Sequence, residues 1–426
     1  MKKHQSNNKL VKGEVIMLDC CDGAEHYTSN KTKANITSYN TQLFAKSMQE
    51  NNNEISTSES FNILTWQQIL ADEKLENVLP AIESIYEDKS RLRANSNNII
   101  DGCNVSFYDM HDAKMLYLIT QHSSWARKYN PFLLCKCNRG DGVDNENHVC
   151  EIIDHDDQLK YFDRSKKRWE RRGSNNTTTK KGIYTIKDHA DWVDNKNFGI
   201  SHFGLSPLLL RRENIRFDVF HLCVAITKRL MEYTREFVQM QSCDFQVNFF
   251  NTLSKFWDEF HLLIWKCNKQ FGKLRGSEIK KFIINCPKVA KVIRDNFVMT
   301  DDIEYLCQGL ELWYDLESFL KISTVKDESS FPSLINNFKT NLSKFYKCGK
   351  FTFLTKRNYG DDETFYFHCL RFYIPNIVDQ TWEKHGLGVG IFTMQDYERR
   401  NKESKNTLRR FSNNKGNIII GNMKRL

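Results

Sequence analysis

Several carboxylates stand in this sequence where they are costly unless they serve a purpose. Residues 15–18 (VIML) are a short apolar run, the pattern of a strand buried on both faces. The run leads directly into Asp19 and Asp22, with Gly23 and His26 just beyond. Residues 104–108 (NVSFY) repeat the pattern and end on Asp109. A carboxylate at the end of a buried strand is expensive to desolvate unless something pairs with it. Asp22-Gly23 also reads simply as a turn dipeptide. Asp112 reads as the N-cap of the helix that begins at Ala113, so it has a structural role; Asp109 has none of that kind and is the better candidate for chemistry. A third acid, Glu398, falls on a basic helix expected over residues 395–411. There Glu398, Asn401, Lys402, Lys405 and Asn406 share one face, which a solvated, ion-paired stripe would explain equally well. Two strand-end acids and a late helix acid are the hard oxygen ligands that suit two Mg²⁺ ions in phosphoryl transfer, with positions left for phosphate oxygens and water.

A second ligand set is soft. Cys135-Lys136-Cys137 is followed by a Gly/Asp/Asn-rich loop and then His148-Val149-Cys150. Two tight pairs, C-x-C and H-x-C, suit tetrahedral Zn²⁺ in a structural site, since Cys135, Cys137, His148 and Cys150 fill all four positions. Reduced core cysteines with a surface histidine are the plain alternative. The chain has 13 cysteines, an odd number, and its polar start MKKHQSNNK has no apolar stretch after it. Reduced thiols and metal sites are therefore expected rather than a disulfide framework or secretion. Asp218 and His221 stand three apart at the start of a helix, where a capping acid and a half-buried histidine are the simpler reading. The glycines of residues 386–393 (GLGVGIFT) lack the Lys-Ser/Thr ending of a phosphate-binding loop, so no nucleotide or other small-molecule cofactor is expected there.

The elements that must position these groups are of mixed type. Residues 1–12 read as a disordered lead. Residues 13–134 read as the first part of an α/β core: strands over 14–22, 34–44 and 104–108, and a helix over 61–86 from the spacing of Ile63, Trp66, Ile69 and Leu70. Residues 135–210 are zinc-binding and basic, with 188–207 irregular. Residues 211–385 read as a large all-α insertion, with helices expected over 245–271, 277–297 and 301–321 and a further one marked by Val219, Leu222, Cys223, Ile226, Leu230, Tyr233 and Phe237. Residues 386–426 complete the core with a basic helix and tail. No apolar run approaches the ~18 residues of a membrane helix.

The net charge of +9 is unevenly placed. A first cluster runs over residues 164–172 (RSKKRWERR), and a second, residues 397–426, holds nine Lys/Arg against two Glu. Lys166, Lys167, Arg168, Arg171 and Arg172 in the first cluster, and Arg399, Arg400, Lys402, Lys405, Arg409 and Arg410 in the second, suit a polyanion, most often nucleic acid.

In this order the pieces resemble the DDE transposases with an RNase H-like core and a helical insertion, in particular the CACTA (En/Spm) type. Cys21-Asp22-Gly23 resembles the first acid in its Asp-Gly setting, and Phe107-Tyr108-Asp109 the second. The paired cysteines follow, Asp218-Val219-Phe220-His221 resembles the motif that opens the insertion, and residues 392–402 look like the closing helix that brings the third acid. The resemblance spans residues 14–410 by order of pieces. It implies a nuclear, transposon-derived protein that cuts and joins DNA with Mg²⁺ on Asp22, Asp109 and Glu398, holds a structural zinc, and dimerises on paired DNA ends. Asp22 takes the first position and Asp19 is its alternative, because residues three apart in an extended chain face opposite ways. The pattern departs in two respects: the cysteine pair is C-x-C where C-x-x-C is usual, and the core begins within about fifteen residues of the start, which implies a truncated or inactive copy. Two other classes remain open: a catalytically dead zinc-containing nucleic-acid-binding or scaffold protein, and a helical interaction protein whose basic tail binds an acidic partner.

Overall fold

The computed structural model describes residues 14–27, 33–45, 61–69, 104–120, 122, 132–137, 148–172, 178–179, 182–183, 186–200, 212–256, 276–351 and 365–394. The chain forms two compact units. The first comprises Met1–Asn138, Cys150–Asp218 and Ile391–Leu426, and the second Arg139–Val149 and Val219–Gly390.

The first unit is built on a five-stranded mixed sheet. Its strands are β1 (Glu14–Tyr27), β2 (Lys33–Ala45), β3 (Phe61–Ile69), β4 (Asn104–His111) and, far along the chain, a strand at Ile215–Phe217. The order is β3-β2-β1-β4 and then that last strand. The first three form an antiparallel meander, β4 lies parallel to β1, and the last strand lies parallel to β4. Parallel strands in the middle of a sheet are covered on both faces, which is why β1 carries the apolar run 15–18 and β4 is apolar from residue 105 to 108 but for Ser106. Val15, Ile16, Leu18 and Cys20 are buried, as are Phe107, Tyr108 and Met110. Helix α1 (Ala113–Ile119) follows β4, and the Asp112 carboxylate caps it by accepting from the Met115 N–H at 2.6 Å.

Three expectations need correction. Residues 61–69 are strand, where the spacing of Ile63, Trp66 and Ile69 predicts helix. The cause is a register shift: Gln42 pairs with Ile63 and Thr41 with Thr65, so Leu64 is an extra residue. A bulge breaks the period of two and leaves apolar residues three apart, which imitates a helix. The rest of that predicted helix, 70–86, lies outside the described residues. Residues 188–196, expected to be irregular, belong to a helix at Ile186–Lys196. At the start of the expected all-α segment stands the strand Ile215–Phe217, a three-residue element too short to announce itself by periodicity.

Between β4 and the last strand lie α2 (His155–Arg172), the short strands β5 (Thr178–Thr179) and β6 (Gly182–Ile183), and α3 (Ile186–Lys196); the last strand is therefore β7. The chain leaves this unit after Asp218 and returns at Ile391. The return is tied to the sheet. The Met394 N–H donates to the Asp218 carboxylate at 2.8 Å, and the Phe392 ring stands edge-on to Tyr108 at 5.4 Å. The buried Arg216 guanidinium lies over Tyr108 at 4.2 Å and over Phe392 at 5.4 Å.

The second unit is helical: α4 (Val219–Gln239), α5 (Cys243–Phe256), α6 (Gly276–Asn296), α7 (Asp301–Leu320), α8 (Phe331–Phe351), α9 (Phe365–His368), a π turn at Cys369–Tyr373 and α10 (Ile374–His385). The predicted face of α4, from Val219 to Phe237, is its buried face. The fully buried Trp313 donates its indole N–H to the Thr227 hydroxyl at 2.9 Å, so the largest core side chain is also satisfied. Among residues 386–393, the glycines serve packing. Gly388 and Gly390 donate to Ser323 and Ile322 carbonyls, and a Cβ on Gly388 would stand 2.1 Å from the Ile322 oxygen.

Two predictions test this unit. Gly388→Ala forces the backbone of residue 322 to move, and it is expected to cost more than about 2 kcal/mol, read as a lower urea midpoint at unchanged slope. Arg294 donates to both carboxylate oxygens of Glu304 and of Glu311, and it holds the Glu304 carboxyl below its ordinary range. A lowered native value means the contribution is present above the unfolded value of ~4.3 and is lost as pH falls through the native one. Arg294→Met is thus expected to lower the melting temperature by a few degrees at neutral pH, with the gap to the parent closing in acid; a gap independent of pH would show the ion pairs to be inert.

Candidate functional site

Two groups of side chains are brought together by the fold, one hard and one soft. The hard group comes from strand register. β1 and β4 pair residue for residue from Glu14↔Asn104 to Asp19↔Asp109. Asp19 and Asp109 are thus neighbours across a parallel pair, at the ends of two apolar runs, and both are buried, at 1% and 0% exposure. Adjacent strands lie about 4.8 Å apart, so two carboxylates at one register level repel strongly in a dry interior. A divalent cation is the natural neutraliser of such a pair.

Asp22 lies past the last β1–β4 pair and is registered instead with Ser38 of β2. The register therefore sets Asp19, held in the sequence as the alternative, beside Asp109. The buried His111 lies at the end of β4, registered with Phe217 of β7. Sequence reasoning passed over His111, since a single histidine after a strand-end acid carries no spacing signal. Glu398, Arg399, Arg400, Lys402, Lys405, Arg409 and Arg410 lie outside the described residues. The chain just before them is fixed, because Met394 is anchored to Asp218. Asp218 therefore acts as a tie between two distant stretches of the first unit, a role the sequence could not assign to it.

The soft group is made by a short antiparallel zipper. Cys135 bridges to Ile152, the Lys136 N–H donates to the Glu151 carbonyl at 2.9 Å, and the Ile153 N–H donates to the Leu134 carbonyl at 2.9 Å. Lys136 reinforces it with ion pairs to Glu151 at 2.5 Å and Asp157 at 3.2 Å. The zipper sets the three thiols together: Cys137 Sγ and Cys150 Sγ are 3.4 Å apart, and Cys135 with Cys137, together with burial, pushes the Cys150 thiol far above its ordinary range. Cys135, Cys137 and Cys150 thus offer three thiols that could hold a metal. Zn–S bonds of ~2.3 Å put tetrahedral sulfur donors roughly 3.8 Å apart, so the 3.4 Å spacing of Cys137 and Cys150 suits zinc. Cys135, Cys137 and His368 are buried and Cys150 half-buried.

The cysteines are those the sequence picked out. His148 stands edge-on to Phe372 at 5.6 Å. His368 lies at the edge of the π turn Cys369–Tyr373, against the same Phe372 ring at 4.7 Å. The turn has a local cause. Pro375 has no N–H to donate, and the ladder crosses it in a wider turn in which Ile374 donates to Cys369. Pro375 in an otherwise helical, aromatic-rich run is the sequence signal of that turn of altered pitch.

Of the first basic cluster, Lys166, Lys167 and Arg171 are exposed on α2, Arg168 is half-buried, and Arg172 ends the helix. No helix among the described residues is long and apolar enough to cross a membrane. No protein-family model matches the chain, and no curated protein is significantly similar to it.

Zinc binding is checked by metal analysis. Purified protein is expected to carry about one equivalent of zinc, and Cys135→Ser or Cys150→Ser to lose most of it with a lower melting temperature. Less than about half an equivalent in the parent, unchanged by Cys135→Ser, would remove zinc from the site.

Proposed function

We propose that this chain is a transposon-derived DNA-acting protein with an RNase H-like core, of the DDE transposase type, that cleaves and joins DNA strands in the nucleus. The observation that carries the reading is the register of Asp19 with Asp109, two buried carboxylates at the ends of parallel strands. The mixed sheet supports it, as does a chain that leaves the sheet unit after Asp218, builds a helical unit, and returns at Ile391 just ahead of Glu398.

Asp19 and Asp109, joined by Glu398, are the residues that would hold Mg²⁺, which would supply a polarised water or 3′-hydroxyl and neutralise charge on the scissile phosphate. The protein's own part is positioning. Two rigid central strands fix the first two carboxylates. The Asp218–Met394 hydrogen bond and the stack of Arg216 on Tyr108 and Phe392 fix the chain that leads to the third. In this reading the zinc that the cysteine group would hold is structural. A dimer on paired DNA ends follows from the same family resemblance.

A second reading is favoured by the cluster of three thiols alone: a catalytically inactive, zinc-containing nucleic-acid-binding protein that retains the fold. The two are separated by nicking of supercoiled DNA in Mg²⁺. Asp19→Asn and Asp109→Asn are each expected to lower nicking by more than about a hundredfold while leaving DNA binding in place, and Asp22→Asn to leave nicking near the parent level. Full nicking by Asp109→Asn sinks the carboxylate assignment. Absence of nicking by the parent, with zinc and DNA bound, supports the second reading.

A further inference from the structure

Helix α2 carries a stripe that its linear sequence hides. Lys160, Arg164, Lys167, Arg168 and Arg171 recur at i, i+4, i+7, i+8 and i+11, within about 100° of the helix circumference and over roughly 16 Å of its length. Asp163 and Glu170 fall outside that sector, and so does Lys166, about 140° from its centre. The run of basic residues at 164–172 is thus sorted by the helix into a coherent face and outliers.

The opposite face fixes the helix in place. Gln158, Tyr161, Phe162 and Ser165 are buried. Tyr161 and Phe162 pack in a core cluster with Ile153 and Ile200. The Ser165 hydroxyl is hydrogen-bonded to His189 of α3 at 3.1 Å, and the Asn197 amide donates to the Tyr161 carbonyl at 2.8 Å. The cationic face therefore points outward by construction, and Lys160, Arg164, Lys167 and Arg171 are exposed.

Exposed helical cations are ordinarily absorbed in i,i+3 and i,i+4 ion pairs. Here Asp163 and Glu170 stand at those spacings from Lys160 and Lys167, yet among the described residues Lys160, Arg164, Lys167 and Arg171 form no ion pair. The guanidiniums are held another way. Arg168 lies over the Trp192 ring of α3 at 4.4 Å and Arg164 over the same ring at 5.5 Å. Stacking on an indole fixes the plane of the Arg164 guanidinium while leaving its N–H donors at the edge, the arrangement that suits phosphate oxygens.

We propose that this face of α2 binds the phosphodiester backbone of a DNA duplex, with Trp192 orienting Arg164. It rests on the DNA-acting reading above and names the surface that carries it. A strand of duplex presents a phosphate every ~3.4 Å of axis, so a stripe of this length spans about five of them. The contacts are to backbone and carry no base readout.

The test is fluorescence anisotropy of a labelled duplex with the full-length protein, from about 50 to about 200 mM salt. The triple variant R164A/K167A/R171A is expected to flatten the plot of log affinity against log salt by close to three, about 0.9 per contact removed. Trp192→Leu is expected to weaken binding severalfold at unchanged slope, because it removes orientation and no charge. Lys166→Ala, a cation of equal charge off the stripe, is expected to change neither. Thermal melting of each variant shows whether it is folded. An unchanged slope in the folded triple variant overturns the assignment while leaving the DNA-acting reading intact, and so does an equal loss from Lys166→Ala. Parent protein that binds anionic vesicles through these residues, and duplex only without salt dependence, overturns both.

Discussion

The parallel pairing of β1 with β4 puts the strongest local constraint on the sheet unit. It lays two apolar runs side by side and ends both on a carboxylate at one register level, so that Asp19 and Asp109 meet in a buried setting. Charge held in a low-dielectric interior is tolerated only where it is neutralised or hydrogen-bonded. Much of the unit follows from accommodating that pair. Flanking strands cover the edges of β1 and β4, α1 is capped immediately after β4, and Arg216 from β7 comes in one register step from Asp109 to stack on Tyr108.

The same stretch of sheet receives the returning chain. Asp218 closes β7 and holds Met394 through a main-chain hydrogen bond, while Phe392 fills the space over Tyr108 and Arg216. A helical unit of this size can lie between two parts of a sheet unit only if departure and return are both fixed, and here a single carboxylate does both. An acid read on its own as a helix cap becomes a tie across distant sequence.

Register, helix phase and a strand bridge each decided something that residue type left open. Residue type marked Asp19, Asp22 and Asp109 as candidates, and the pairing register chose which two lie together. Residue type marked a basic run at 164–172, and helix phase separated Lys166 from Arg164, Lys167 and Arg171. Residue type marked the cysteines at 135, 137 and 150, and the bridge of Cys135 with Ile152 set their thiols together. The helical pattern over 61–69 misled for a definable reason: a bulge at Leu64 shifts the strand's phase by one residue, and that shift is invisible without the partner strand.

The amino-acid sequence by itself determined the local elements and the chemistry they offer. It contained the apolar strands that end in acids, the capped helix after β4, the buried face of α4, the soft ligands in tight pairs and the segregated positive charge. These are properties of neighbours in the chain, governed by the periods of strand and helix and by the cost of desolvating charge. The tertiary structure alone decided which of those groups meet. Asp19 with Asp109 and Asp218 with Met394 are partners separated by long stretches of chain. Their meeting depends on pairing register, bulges and the closing of a sheet, none of which leaves a period in the sequence.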